Sequence, residues 1–105
     1  MSFFTVGYDT EPLHSRARLH IMVLLSSVTE ADFTGIRDEL KISDGQLSQQ
    51  LAKLSDLGLI EVNRSLFGKK SRTVVRLSQA GATVLSRYMQ DMQKLLKQVP
   101  DNIGS

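Results

Sequence analysis

At Gly58 the spacing of apolar residues changes from a helical period to an alternating one, and this switch constrains the fold more than any other feature of the chain. Before Gly58, apolar side chains recur every three or four residues. After it they alternate through Leu77, and beyond Ser78 the helical period returns. A chain of 105 residues that runs helical, hairpin-like and helical again has room for one mixed domain.

Residues 1–11 show no clear period and read as an N-terminal arm. Pro12 stands where a first helical residue is tolerated. From Leu13 to Val28, the residues Ala17, Ile21, Leu24, Leu25 and Val28 share one face and predict a first helix. Leu19, Met22 and Val23 are apolar but point elsewhere, so this helix needs cover on more than one side. Thr29 to Asp32 reads as a loop. A second helix is expected over 34–41, with Thr34 or Asp32 near its N-cap and Ile36 and Leu40 inward. Ile42 to Gly45 is a turn in which Ser43 or Asp44 caps a third helix, expected over 45–56. Leu47, Leu51 and Leu54 form its core stripe, and Gly58 is its stop.

Ile60, Val62 and Leu66 then mark one face of a strand, and Phe67 to Ser71 a turn. Thr73, Val75 and Leu77 mark the matching face of a second strand, with Arg72, Val74 and Arg76 opposite. Ser78 caps a last helix expected over 79–98. The apolar residues of that helix cover about half its circumference, too much for packing on one small domain. A second copy of the chain is the natural cover. The expected dimer surface comprises Leu19, Met22 and Val23 of the first helix with Leu85, Tyr88, Met89, Met92 and Leu96 of the last. The domain is placed at 12–99, and 100–105 reads as a tail. The expected fold class is mostly α with a small β hairpin, in the order helix, helix, short turn, helix, hairpin, long helix.

Several kinds of chemistry are absent from this sequence. There are no cysteines, hence no thiolate metal ligands, thiol nucleophiles or disulfides. His14 and His20 are six apart, do not share a helix face and have no carboxylate placed beside them. Asp38 and Glu39 form an acidic pair of the kind that usually faces solvent. No glycine-rich phosphate loop is present. The expectation is no enzyme, no metal and no cofactor. The start of the chain lacks the basic and apolar regions of a signal peptide, and the longest apolar run is Ile21 to Leu25. A cytoplasmic location is expected, with no membrane partner.

The formal charge of +2 conceals an asymmetry. Between Glu30 and Glu61 acids outnumber bases, seven to three. From Val62 to Gln90 there are six bases, Arg64, Lys69, Lys70, Arg72, Arg76 and Arg87, and no acid. Such a block is suited to a polyanion. Two helices joined by a tight turn form a helix-turn-helix, whose second helix can enter the major groove of double-stranded DNA. With Leu47 inward, the outward face of the third helix carries Gly45, Gln46, Gln49, Lys53 and Asp56, with Ser48 and Gln50 on the flanks. Glutamine can pair in bidentate fashion with adenine, and the helix N-terminus suits a phosphate. The hairpin would add attraction through Arg64, Lys69, Lys70, Arg72 and Arg76. A solvated helix face and a protein-binding domain are the other readings of these patterns.

The motifs Asp32-Phe33, Ile42-Ser43-Asp44-Gly45-x-Leu47-Ser48-x-x-Leu51-x-Lys53-Leu54 and Gly58-Leu59-Ile60-x-Val62 occur in this order. They are followed by Phe67-Gly68-Lys69, and by Thr73-x-x-x-Leu77-Ser78-x-x-Gly81. Together they resemble the winged-helix transcriptional regulators related to MarR and ArsR, in particular their small stand-alone members. The resemblance covers about 13–96. It implies a winged helix-turn-helix fold and a homodimer built from the first and last helices, which binds an imperfect palindrome and usually represses. It places DNA contacts at Ser43, Gly45, Gln46, Ser48, Gln49, Gln50 and Lys53, and at the wing residues Arg64, Lys69, Lys70 and Arg72. A small-molecule effector would sit near Tyr88, Met89 and Met92, for which plain dimer packing is the simpler reading. The alternative function is a protein-interaction winged helix without specific DNA binding.

Overall fold

The computed structural model describes residues 10–67 and 70–102. The proposed arm, the wing residues Gly68 and Lys69 and the last three residues of the tail therefore lie largely or wholly outside the described residues. A 3-10 turn at Glu11–His14 leads into helix α1 (Arg16–Ser26). Strand β1 (Ala31–Asp32), helix α2 (Phe33–Leu40) and helix α3 (Asp44–Asp56) follow. Strands β2 (Ile60–Phe67) and β3 (Lys70–Leu77) make the hairpin, and helix α4 (Gln79–Leu96) completes the chain.

Each helix begins where a polar side chain satisfies its first free N–H groups. Asp32 accepts from Gly35 N at 2.9 Å to start α2. Ser43 starts α3 with a reciprocal pair: its hydroxyl accepts from Gln46 N at 3.1 Å, and Gln46 Oε1 accepts from Ser43 N at 3.0 Å. Ser78 starts α4 by accepting from Gly81 N at 2.9 Å. Gly58, at φ +75°, takes the left-handed conformation that lets the chain leave α3 for β2.

Four boundaries differ from the sequence expectation. The first helix is not continuous from Leu13. Ser15 is extended, and its side chain accepts from Arg18 N at 3.3 Å, so it caps a new helix after the 3-10 turn. At the other end, the hydroxyls of Ser26 and Ser27 donate back to the carbonyls of Val23 and Leu24, and Val28 lies beyond the helix, exposed. Ala31 and Asp32, expected in a loop, pair antiparallel with Val75 and Val74 as a third strand. The two hairpin strands also run further than expected: Leu66 pairs with Ser71 and Phe67 with Lys70, so the strands take up most of the segment read as a turn.

The sheet order is β1-β3-β2. Leu47, Leu51 and Leu54 of α3 are buried with Ile21 and Leu25 of α1, Ile36 of α2, Leu59, Ile60 and Val75. The stripe expected for α3 is thus the stripe observed. Met22 and Leu85, expected at a dimer surface, are buried in this same core within one chain. They correct the interface list: α1 turns Met22 inward because α1 is covered by helices and sheet of its own chain. Val23, Met89 and Leu96 stay exposed, at 43%, 42% and 64%. Leu19, Tyr88 and Met92 are half-buried. Among the described residues no helix is long and apolar enough to cross a membrane.

Candidate nucleic-acid interface

Burial of Leu47, Leu51 and Leu54 fixes the rotation of α3, and a 3.6-residue period then decides what faces out. Gly45, Gln46, Ser48, Gln49, Lys53 and Asp56 are all exposed. A β-carbon added at Gly45 would meet nothing within 4 Å, so the space ahead of the first turn is open. Ser48, Ala52 and Ser55 of α3 face Val62, Arg64 and Thr73 of the hairpin across a groove of about 470 Å³.

Three residues read as DNA contacts have intramolecular work to do. Ser43 and Gln46 are the two halves of the α3 cap, and both side chains are exposed. Gln50 is half-buried, and its Oε1 accepts from Arg18 Nη1 at 3.0 Å. It is therefore turned toward α1, away from the open face. Gln49, one position earlier, is exposed and has no such partner among the described residues.

Asp44 opens α3, where the helix dipole favours an acid. Arg37 of α2 donates to Asp44 Oδ1 at 2.9 Å and to Asp38 Oδ1 at 3.1 Å. These bonds, Asp44 first, hold the Arg37 guanidinium above its ordinary pKa. Arg37 thereby offsets the negative charge of Asp44 at the start of α3.

The hairpin divides the basic residues between two faces. Arg64 pairs with Thr73 and Val62 with Val75, so Arg64 lies on the core side and lines the groove beside α3. Lys70, Arg72 and Arg76 alternate onto the other side. Two of these cations are drawn back to the body: Arg76 meets Glu30 at 3.0 Å and Arg72 meets Asp32 at 3.8 Å. Arg64 and Lys70 form no ion pair among the described residues. The sequence count of bases therefore overstates the charge that the wing presents. Lys69 lies outside the described residues.

The break at Ser15 has a second effect. His14 and His20, six apart in sequence, line one cleft of about 550 Å³ with Arg16, Leu19, Val23 and Tyr88. The rings of His14 and Tyr88 lie 6.1 Å apart, tilted by 49°. Of the three residues read as an effector site, Tyr88 lines this cleft. Among the described residues no group of three or more His, Asp or Glu side chains is placed to hold a metal ion.

Comparison with known proteins agrees with this geometry. An uncharacterised protein of Methanocaldococcus jannaschii is 24% identical over 86 residues, 82% of this chain and 94% of that protein. A transcriptional regulator homologue from Pyrococcus horikoshii superposes with a TM-score of 0.80 at 23% identity, over 92% of this chain and 96% of that one. A PadR-like transcription factor from Bacteroides fragilis gives 0.69 at 21% identity, over 76% and 82%. A mutant MarR from E. coli, solved in complex with operator DNA, gives 0.67 at 19% identity, over 92% and 73%. The winged helix DNA-binding domain family matches residues 17–96, from α1 through the end of α4. The chain belongs to that family.

Proposed function

We propose that the protein is a sequence-specific, double-stranded DNA-binding regulator of transcription that acts as a homodimer and represses. The observation that carries this reading is the open face of α3, Gly45, Gln49 and Lys53, set beside a groove whose far wall bears Arg64. That face has the size and chemistry to read base edges: Gln49 for adenine, Lys53 for a guanine or a phosphate. Arg64 and Lys70 supply the phosphate contacts that give affinity without sequence preference. Family membership supports the same use of the helix and wing.

The homodimer is supported by the exposed apolar side chains of α4, Met89, Leu95 and Leu96, together with Val23 of α1. A two-fold dimer would set two α3 helices about 34 Å apart, one turn of DNA, on a palindromic site. Repression is the expected result of such a dimer occluding a promoter. No residue is assigned to catalysis, and no cofactor to the fold.

The experiment is a titration of fluorescently labelled DNA from upstream of the protein's own gene, beside a scrambled duplex of equal length, at several salt concentrations. Tight, salt-sensitive binding to the upstream duplex alone is expected. Binding to neither duplex at low salt would overturn the proposal in favour of a protein-binding winged helix. In a reporter strain, loss of the gene is expected to raise expression from the bound promoter, and a fall would make the protein an activator.

A further inference from the structure

Arg18 ties the recognition helix to the turn that precedes α1. From its half-buried position on α1, its Nε donates to the Pro12 carbonyl at 2.7 Å and its Nη1 donates to Gln50 Oε1 at 3.0 Å. One bond ends in the Glu11–His14 turn, the other on the middle of α3. The same turn touches α4 through the His14 and Tyr88 rings. A path of direct contacts thus runs from α4, through the turn and Arg18, to the helix with the open polar face.

The chemistry of these bonds matters more than their number. The remaining support for α3 within the core is apolar, from Leu47, Leu51 and Leu54, and apolar contact is non-directional. A hydrogen bond from a guanidinium is directional, and the guanidinium is a planar fork that holds two acceptors in fixed relation. Its partial burial strengthens both bonds. Gln50 is the immediate neighbour of Gln49 and lies one helical turn from Gln46 and Lys53. A restraint at Gln50 therefore adds a directional hold to the rotation that the buried leucines give the outward face. It also commits the oxygen that a bidentate contact with adenine would need.

We infer that Arg18 is a positioning residue for the recognition helix, acting through Gln50, and that it couples DNA reading to the Glu11–His14 turn and so to α4. The inference rests on the DNA-binding reading of α3, but its structural half does not.

The test is a double-mutant cycle on the full chain with R18A, Q50A and the double variant, plus R18K. Binding is read on the cognate and the scrambled duplex. R18A and Q50A are each expected to weaken cognate binding about 3- to 30-fold, the range for losing a charge-assisted bond partly expressed in binding. The double variant is expected to be no weaker than either single one. Scrambled binding, which depends on phosphates, is expected to change by less than about two-fold. R18K is expected to resemble R18A, because one ammonium does not span both acceptors. A fold merely weakened would lower both duplexes together. Multiplying losses, or a Q50A defect confined to one base pair with R18A near wild type, would make Gln50 a base reader and overturn the inference. A second readout needs no DNA: the Nε–Hε resonance of Arg18 and the backbone amides of Leu13 and His14 in the NMR spectrum. All three are expected to shift in Q50A. An unchanged turn in Q50A would overturn the coupling even if the protein proved to bind no DNA.

Discussion

The α-carbon of Gly81 stands against the backbone carbonyl of Leu59, leaving no space for a β-carbon. That carbonyl also accepts from Ser78 N at 3.1 Å, and the Ser78 hydroxyl donates to the Gly58 carbonyl at 2.7 Å. The end of α3, the start of β2 and the first turn of α4 are thus fastened at one point. In a solvent-exposed helix, Gly81→Ala would stabilise by up to about 1 kcal/mol through helix propensity. Here the clash is with backbone, which does not swing aside. We expect G81A to lose about 2–3 kcal/mol of unfolding free energy, read by chemical denaturation. A neutral or stabilising result would mean that α4 shifts freely along β2. Ser78→Ala, which removes the cap and the bond to the Gly58 carbonyl together, is expected to cost about 2 kcal/mol.

Gln49 and Lys70 are expected to fail in different ways. Gln49→Ala should relax discrimination at one base pair by about 1–3 kcal/mol while leaving the salt dependence of binding nearly unchanged. Lys70→Ala should weaken binding to every duplex alike and lower the slope of log affinity against log salt by about 1. Titrations of a base-substituted duplex set at several salt concentrations separate the two. If both variants lowered affinity uniformly, α3 would be a backbone contact and the reading of sequence would lie elsewhere.

Asp32 performs two tasks that substitution can separate. Its Oδ1 caps α2 and its Oδ2 faces Arg72. Asp32→Asn keeps a good cap but removes the charge, so stability is expected to hold within about 0.5 kcal/mol. Arg72 is then released from its acid partner, and nonspecific DNA affinity is expected to rise, with a steeper salt slope. Asp32→Ala loses the cap as well, and the melting transition is expected to fall by the equivalent of about 1 kcal/mol. Unaltered affinity in D32N would show that the pair does not hold the wing back.

The apolar residues of α1 and α4 are expected to sort by burial. Met89→Lys with Leu96→Lys should shift the proposed dimer to monomer in sedimentation velocity, with the unfolding of each protomer little changed, because both sites are exposed in the single chain. Met22→Ala should do the reverse, costing about 2–5 kcal/mol of protomer stability as a cavity opens in the core. A chain that stays dimeric after M89K/L96K would place its interface on another surface.

These contrasts show where sequence reasoning reaches and where it stops. The α3 stripe and the hairpin faces follow from period, since only one rotation buries Leu47, Leu51 and Leu54, or Val75, together. The caps at Ser43 and Ser78 follow from local chemistry. Ala31 and Asp32 escape notice because two residues have no period, and their partner strand lies far along the chain. The direction of Met22 on its helix is readable, but not which chain covers it. Gln50 looks like a solvated flank because its partner, Arg18, is 32 residues away. The loss of Arg72 and Arg76 to Asp32 and Glu30 is likewise a long-range pairing that a charge count conceals.

Strand β1 pairs with β3 only at Val74 and Val75, so the hairpin beyond those residues is a two-stranded ribbon projecting from the body. Arg64, Leu66, Lys70 and Ser71 on that ribbon are exposed, and none belongs to the core. A ribbon of this kind adds little to the cooperative unfolding of the rest. Mutation there is accordingly cheap for the fold and consequential for whatever the ribbon touches. Grip on the ligand and survival of the domain become separable traits, so descendants of this chain can retune the first by drift at the ribbon while the second is guarded by the core.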